Sequence, residues 1–175
     1  MTFFDIITPI HLSDDEIIYK TSYKDVELIS QLIDEINIKG NGRNDMFEAY
    51  ITTLDLHRRH PGFQKLDNLL KNMFAKFFKE YFNQARNLNA IEMWGVKYKE
   101  GEYCKRHKHS KKFDVWCGVF YLTVPENSSP ILFEDFNQEY FPEVGDILFW
   151  KAHLYHSVGP GTNTKERISA VFNYR

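Results

Sequence analysis

Four of the seven histidines lie in the second half of the chain as two close pairs, His107-Lys108-His109 and His153-Leu154-Tyr155-His156. In an extended strand residues i and i+2 point the same way, so His107 and His109 are expected to turn both imidazoles to one side. Two neutral imidazoles side by side suit an intermediate metal such as iron, zinc, nickel or copper. Histidines among lysines are more often surface residues, so this pair gains its weight from the residues downstream of it. An apolar strand leads to His156, and Arg167 comes eleven residues later in Glu166-Arg167-Ile168-Ser169. Arg167 and Ser169 share a strand face, where a guanidinium beside a hydroxyl can grip a carboxylate. His57 and His60 sit among arginines and read as a solvated helix lead-in.

The elements that must position these groups are also legible. A chain of 175 residues is one domain by length, and 43% hydrophobic residues exclude disorder. Aromatics at 16% favour β packing. With 22 basic and 24 acidic residues the net charge is −2, which excludes nucleic-acid binding driven by net charge. Two cysteines, Cys104 and Cys117, cannot build a disulfide framework and read as free buried thiols of a reducing compartment. The opening MTFFDIITPIHLSDDE lacks the basic flank of a signal peptide, and no stretch approaches ~18 apolar residues. A cytoplasmic protein without a membrane span is expected.

From Thr21 to Asn37, Val26, Ile29, Leu32, Ile33 and Ile36 recur at helical steps, with Ser22 and Asp25 as a capping box and Gly40-Asn41-Gly42 as a stop. A second helix is expected after His60-Pro61, with Phe63, Leu66, Leu70, Phe74 and Phe77 on its apolar face, ending near Asn83. From residue 91 short apolar runs take over at Ile91–Tyr98, Val115–Val124, Pro130–Glu134, Asp146–Trp150 and Ile168–Asn173, divided by Gly and Pro. Val115–Val124 is apolar on both faces and belongs between two layers. The expected fold is mainly β with N-terminal helices, an α+β single domain over 1–175. Residues 1–90 form a helical buttress and 91–175 a β core.

The ordered series YKEGEYCKRHKH, CGVFYL, ILFED, FPEVGDILFW, HSV and ERISAVFN over Tyr98–Asn173 resembles the iron(II)/2-oxoglutarate-dependent oxygenases, in particular the prolyl-hydroxylase-like branch and its short bacterial and phage members. The resemblance implies a double-stranded β-helix, the cupin-like jelly roll, buttressed by two helices, with iron in its mouth and 2-oxoglutarate and O2 as cosubstrates. On it His107 and His156 fall on metal-ligand positions, Arg167 on the residue that binds the far carboxylate of 2-oxoglutarate, and Ser169 completes that pair. Tyr98 and Tyr121 fall where tyrosines touch the cosubstrate. The implied activity is hydroxylation of an unidentified substrate, a peptide, nucleobase or small molecule, with no catalytic residue beyond the metal centre. Trp116, Phe120, Phe133, Phe149 and Phe172 are expected to line the barrel, and residues 43–60 to overhang its mouth.

The chain departs from the family at one consequential place. The usual set is His-x-Asp/Glu with a distal histidine, and the carboxylate slot here holds His109. Either three histidines take the metal, which is the preferred reading, or a carboxylate replaces His109. Asp114 is the nearest such carboxylate and Asp135 a more remote one. The spacing Gly101-x5-His107-x-His109-x4-Asp114 also looks like a first cupin motif, the mark of metal proteins that include isomerases and 2-oxoglutarate-independent dioxygenases. The second cupin motif fits badly, and Arg167 has no place in it. A third reading is a non-catalytic module that uses Lys97, Lys99, Lys105, Arg106, Lys108, Lys111 and Lys112 with Trp94, Tyr98 and Tyr103 to bind nucleic acid or another anion. Lysines on a solvated strand edge are the commoner reason for such a run.

Overall fold

The computed structural model describes residues 4–38 and 46–175. In chain order its elements are β1 (Thr8–His11), β2 (Ile17–Ser22), α1 (Val26–Ile38), β3 (Phe47–Glu48), β4 (Tyr50–Ile51), α2 (Leu56–Arg59), α3 (Pro61–Phe82), β5 (Ala90–Tyr98), β6 (Tyr103–His107), β7 (Trp116–Thr123), β8 (Ile131–Phe133), β9 (Gln138–Tyr140), β10 (Asp146–Lys151), β11 (His156–Val158) and β12 (Arg167–Tyr174). They build two antiparallel sheets, one ordered β1-β2-β10-β7-β12-β5-β4 and the other β3-β6-β11-β8-β9. The helices cover the outer face of the larger sheet, and the smaller sheet closes over its inner face as a jelly roll.

Strand alternation sorts the side chains of the larger sheet into two cores. Along β12, Ile168, Ala170, Phe172 and Tyr174 face the helices, and so do Trp116, Phe120, Ile147 and Phe149 of the neighbouring strands. There they meet Leu66, Leu70, Met73, Phe74, Phe77 and Phe78 of α3. Each such side chain contributes about 1.5–3 kcal/mol on burial, so this layer is a main source of stability. Phe77 packs edge-on against Phe149 and Trp116, with centroids 5.0 and 5.2 Å apart. Gly118 makes room for this packing, since a Cβ there would stand 2.4 Å from the Leu148 carbonyl and 2.5 Å from the Phe172 ring. The alternate residues Cys117, Val119, Tyr121, Leu148 and Trp150 point between the sheets, where they meet Phe133. Of the five aromatics expected to line the barrel, only Phe133 does so. Trp116, Phe120, Phe149 and Phe172 have the opposite parity and serve the helix layer.

Two other expectations need correction. Residues 1–90 are not purely helical. The β1–β2 hairpin joins the larger sheet by pairing β2 with β10, and β4 extends the other edge beside β5. Ile17, Ile18, Tyr19 and Thr21 are good strand formers, and Ile18 turns inward while Tyr19 meets the helix layer. For the same reason α1 begins at Val26 and not at Thr21, because Thr21 and Ser22 pair with Ile147 and Asp146. Asp25 alone caps the helix, its Oδ1 accepting the Leu28 N–H at 2.9 Å. The Gly40–Gly42 stop and residues 43–45 of the expected overhang lie outside the described residues.

The second helix runs from Pro61 to a left-handed Asn83, as expected, with the short α2 added before it. Its first turn is held by Glu35 of α1, whose carboxylate accepts the Gly62 and Phe63 N–H groups at 2.7 and 3.2 Å. A carboxylate at a helix N-terminus meets both the orphan donors and the positive end of the dipole. At the other face, the Tyr174 hydroxyl donates to Asp67 at 2.6 Å and ties α3 to the last strand.

Candidate metal centre

The smaller sheet brings the histidines together. β6 and β11 are antiparallel neighbours, and their register sets His156 opposite His107. His109 lies past the end of β6, so the simple i, i+2 argument does not place it. Instead the His109 and Ser110 N–H groups both donate to the Ala152 carbonyl, at 3.1 and 3.0 Å, and this turn brings the ring back. One ligand atom from each of His107, His109 and His156 falls within 4.8 Å of the others. The His109 and His156 rings are stacked at 4°, with their Nε2 atoms 3.3 Å apart.

The ring tautomers follow from the acceptors around them. His107 Nδ1 donates to the Lys105 carbonyl at 2.8 Å and His156 Nδ1 to the Leu154 carbonyl at 3.1 Å, because a carbonyl can only accept. Both histidines therefore carry their free lone pair on Nε2. Burial lowers the pKa of all three rings. His109 is brought down to about 3, by burial first and the neighbouring His107 second. His156 falls well below its usual value through burial and then its two histidine neighbours. For His107 burial again dominates, opposed by the Lys105 carbonyl and by Glu134. Three neutral imidazoles with one ring nitrogen each this close together could hold an intermediate divalent metal. Two nitrogens each roughly 2.1 Å from a shared ion stand about 3.0–3.4 Å apart, which matches the His109–His156 separation.

Neither carboxylate alternative joins them. Asp114 is on the surface with Oδ2 2.7 Å from Arg175 Nε, and Asp135 takes Arg106 Nη2 at 2.6 Å. The remaining histidine of the second half, His153, turns away to Glu16 at 3.0 Å.

The histidines share one cavity with Tyr98, Tyr121, Arg167 and Ser169, an empty volume of about 440 Å3 counted with its mouth. Arg167 lies opposite Tyr98 in the β5–β12 ladder, and its guanidinium stands 5.4 and 5.2 Å from the Tyr98 and Tyr121 ring centres. It is 3% exposed and donates from Nη1 to the Ser129 carbonyl, while its Nε has no partner. The adjacent acid, Glu166, is engaged by Lys97 and Lys99, and no carboxylate among the described residues pairs with Arg167. The Ser169 and Tyr121 hydroxyls are buried and unpartnered as well. A buried cation without a counter-ion, beside unfilled hydroxyls, is costly unless an anion occupies the space. The cavity thus fits a carboxylate at one end and a metal at the other.

Several lining residues were not singled out as site residues from the sequence. Phe47 reaches the cavity from β3 with its ring 5.9 Å from that of His107, and Trp94 lies 5.7 Å from the His109 ring. Trp94 shares the parity of Tyr98 along β5, a signal present in the sequence. Phe47 carries no such signal, since β3 is two residues long.

No protein-family model and no curated protein sequence matches this chain. Solved structures do. A Pseudomonas putida prolyl-4-hydroxylase aligns with a TM-score of 0.68 and 16% identity over 92% of this chain and 93% of its own. The viral collagen prolyl hydroxylase of Paramecium Bursaria Chlorella virus-1, in its 2OG complex, aligns at 0.65 and 16% over 90% and 95%. HygX from Streptomyces hygroscopicus, with nickel and 2-oxoglutarate bound, aligns at 0.66 and 14% over 90% and 82%. At these identities the likeness is one of fold. The chain has the jelly-roll fold of the prolyl hydroxylases and other 2OG-Fe(II) oxygenases, with its three histidines and Arg167 facing one cavity inside it.

Proposed function

We propose that the protein is a non-haem iron(II)/2-oxoglutarate-dependent oxygenase that hydroxylates a substrate of its own. The observation that carries this reading is the single cavity lined by three converging histidines and by a buried Arg167 that no carboxylate among the described residues neutralises. Iron(II) with 2-oxoglutarate and O2 would supply the oxidant. His107, His109 and His156 would hold the metal, with the Lys105 and Leu154 carbonyls fixing two of the rings. Arg167 and Ser169 would grip the far carboxylate of the cosubstrate, and Tyr98 and Tyr121 would flank it. The apolar walls, among them Val96, Val119, Ile131 and Val158, exclude water from the reacting centre.

Replacing an anionic ligand by His109 makes the centre one unit more positive, which favours a dianionic cosubstrate. The same third histidine is the feature that favours a second reading, a cupin-type metal protein working without 2-oxoglutarate. Arg167 argues against it. The binding-module reading loses support because the basic run is largely engaged. Arg106 and Lys108 stack on Tyr155, Arg106 also pairs with Asp135, and Lys105 reaches Glu48. No helix among the described residues is long and apolar enough to cross a membrane. We take the primary substrate to be a peptide or small molecule met in the cytoplasm.

Anaerobic titration of the iron(II) protein with 2-oxoglutarate tests the proposal. A visible charge-transfer band on adding the cosubstrate is expected. Its absence with metal demonstrably bound would transfer the assignment to the cupin reading.

A further inference from the structure

A second cavity opens on the other side of His107 and His109. Its empty volume is about 550 Å3 counted with its mouth, and it shares Phe47, Trp94, His107 and His109 with the first. The same strand parity that carries Arg167 and Tyr98 carries its far end. Along β12 the inward series is Arg167, Ser169, Val171, Asn173, and along β5 it is Tyr98, Val96, Trp94, Glu92. At about 3.3 Å per residue, Asn173 lies some 20 Å along the strand from Arg167, with the histidines between.

Asn173 faces Glu92 across the ladder and donates from Nδ2 to Glu92 Oε2 at 2.9 Å. That bond fixes the amide orientation and leaves Oδ1 as the free atom. Asn173 is 5% exposed, and its Oδ1 is buried without a partner. A half-buried carboxylate and an unfilled carbonyl oxygen therefore meet at the end of the cavity, and both are acceptors. Trp94, Phe47 and Leu54 add an apolar and aromatic wall beside them. Acceptors beside aromatic faces select a cation that carries N–H donors. The basic residue of the lining is Lys108, which prefers a ligand whose other end is neutral or anionic.

We propose that this cavity is the primary-substrate site and that it takes a protonated amine on an apolar stem, held by Glu92 and Asn173. That it is the site of a substrate, and not merely of a ligand, rests on the oxygenase reading above. The amine belongs either to a free small molecule or to a lysine side chain, and both present the same group.

The test uses full-length protein loaded with iron(II) and 2-oxoglutarate without oxygen, and reads binding by equilibrium dialysis. The probes are 6-aminohexanoate, hexanoate and a capped glycyl-lysyl-glycine tripeptide. The expected result is that one or both amines bind and hexanoate does not. Preference for the tripeptide identifies a peptide side chain, and preference for 6-aminohexanoate a free molecule. Glu92→Gln, which keeps the shape and the bond to Asn173, should weaken amine binding at least roughly tenfold while 2-oxoglutarate affinity is unchanged. Hexanoate binding as tightly as the amines, failure of both amines to bind, or an undiminished affinity in Glu92→Gln overturns the inference. Because dialysis does not depend on the charge-transfer band, a missing band counts against the cosubstrate and leaves the amine result to stand or fall by itself.

Discussion

His109 and His156 are 47 residues apart in sequence, yet their rings lie parallel within 4° and their Nε2 atoms are 3.3 Å from each other. With Nδ1 of His156 committed to the Leu154 carbonyl, its Nε2 lone pair points at His109. A hydrogen bond or a shared cation can relieve that approach, and His107 standing beside both favours the cation.

His107→Ala, His109→Ala and His156→Ala should each lower iron(II) affinity by at least roughly 100-fold, since outer partners of a metal ligand alone are worth about 10–100-fold. Asp114→Ala should leave it unchanged, because that carboxylate is spent on Arg175 at the surface. Elemental analysis after dialysis against a weak chelator measures both. Metal retained by the His109 variant would remove it from the ligand set.

Arg167→Ala should weaken 2-oxoglutarate binding by about 2–5 kcal/mol, the range for truncating one partner of a buried charge pair. Iron affinity should barely change, and Arg167→Lys should recover part of the loss by restoring the charge without the planar fork. Calorimetric titration gives the comparison. Equal affinities in wild type and Arg167→Ala would mean that the guanidinium serves only to hold the Ser129 carbonyl.

Glu35→Ala should destabilise the fold by about 1.5–3 kcal/mol, because two N–H donors at the start of α3 lose a buried charged acceptor. Glu35→Gln keeps one good acceptor and should cost less. Urea unfolding followed by circular dichroism ranks the three proteins, and a Gln variant as weak as the Ala variant would contradict this account.

Asp25 supplies a pH-dependent term. Its pKa is lowered from 3.8, chiefly by the Leu28 N–H that it accepts. A carboxylate with a depressed folded pKa stabilises fully above its unfolded value and loses that contribution as pH falls through the folded one. Asp25→Ala should therefore cost about 1 kcal/mol at neutral pH, and the difference from wild type should narrow progressively as pH falls below about 4. Asp25→Asn should keep the cap at every pH. Unfolding curves at pH 7 and pH 3 decide it.

Read alone, the sequence determined the class of fold, the long apolar helix and the inward or outward parity of single strands, because these depend on spacing within a few residues. It also marked His107, His156 and Arg167, whose types and order carry chemistry wherever they are met. What it could not determine was anything set by pairing between distant strands. The β1–β2 hairpin falls within the expected helical buttress, and only β10 shows it to be a sheet edge by taking its hydrogen bonds. Four aromatics assigned to the barrel turned out to serve α3, since parity within a strand does not say which face the helices will cover. Whether His109 or Asp114 stands beside His107 and His156 was open until the Ala152 carbonyl pinned one turn and Arg175 claimed the other side chain. Glu92 and Asn173 form no pattern in the sequence, for they are 81 residues apart and become neighbours only in the β5–β12 ladder. Local periodicity is written in the chain, and register between remote strands is decided only when the whole core closes.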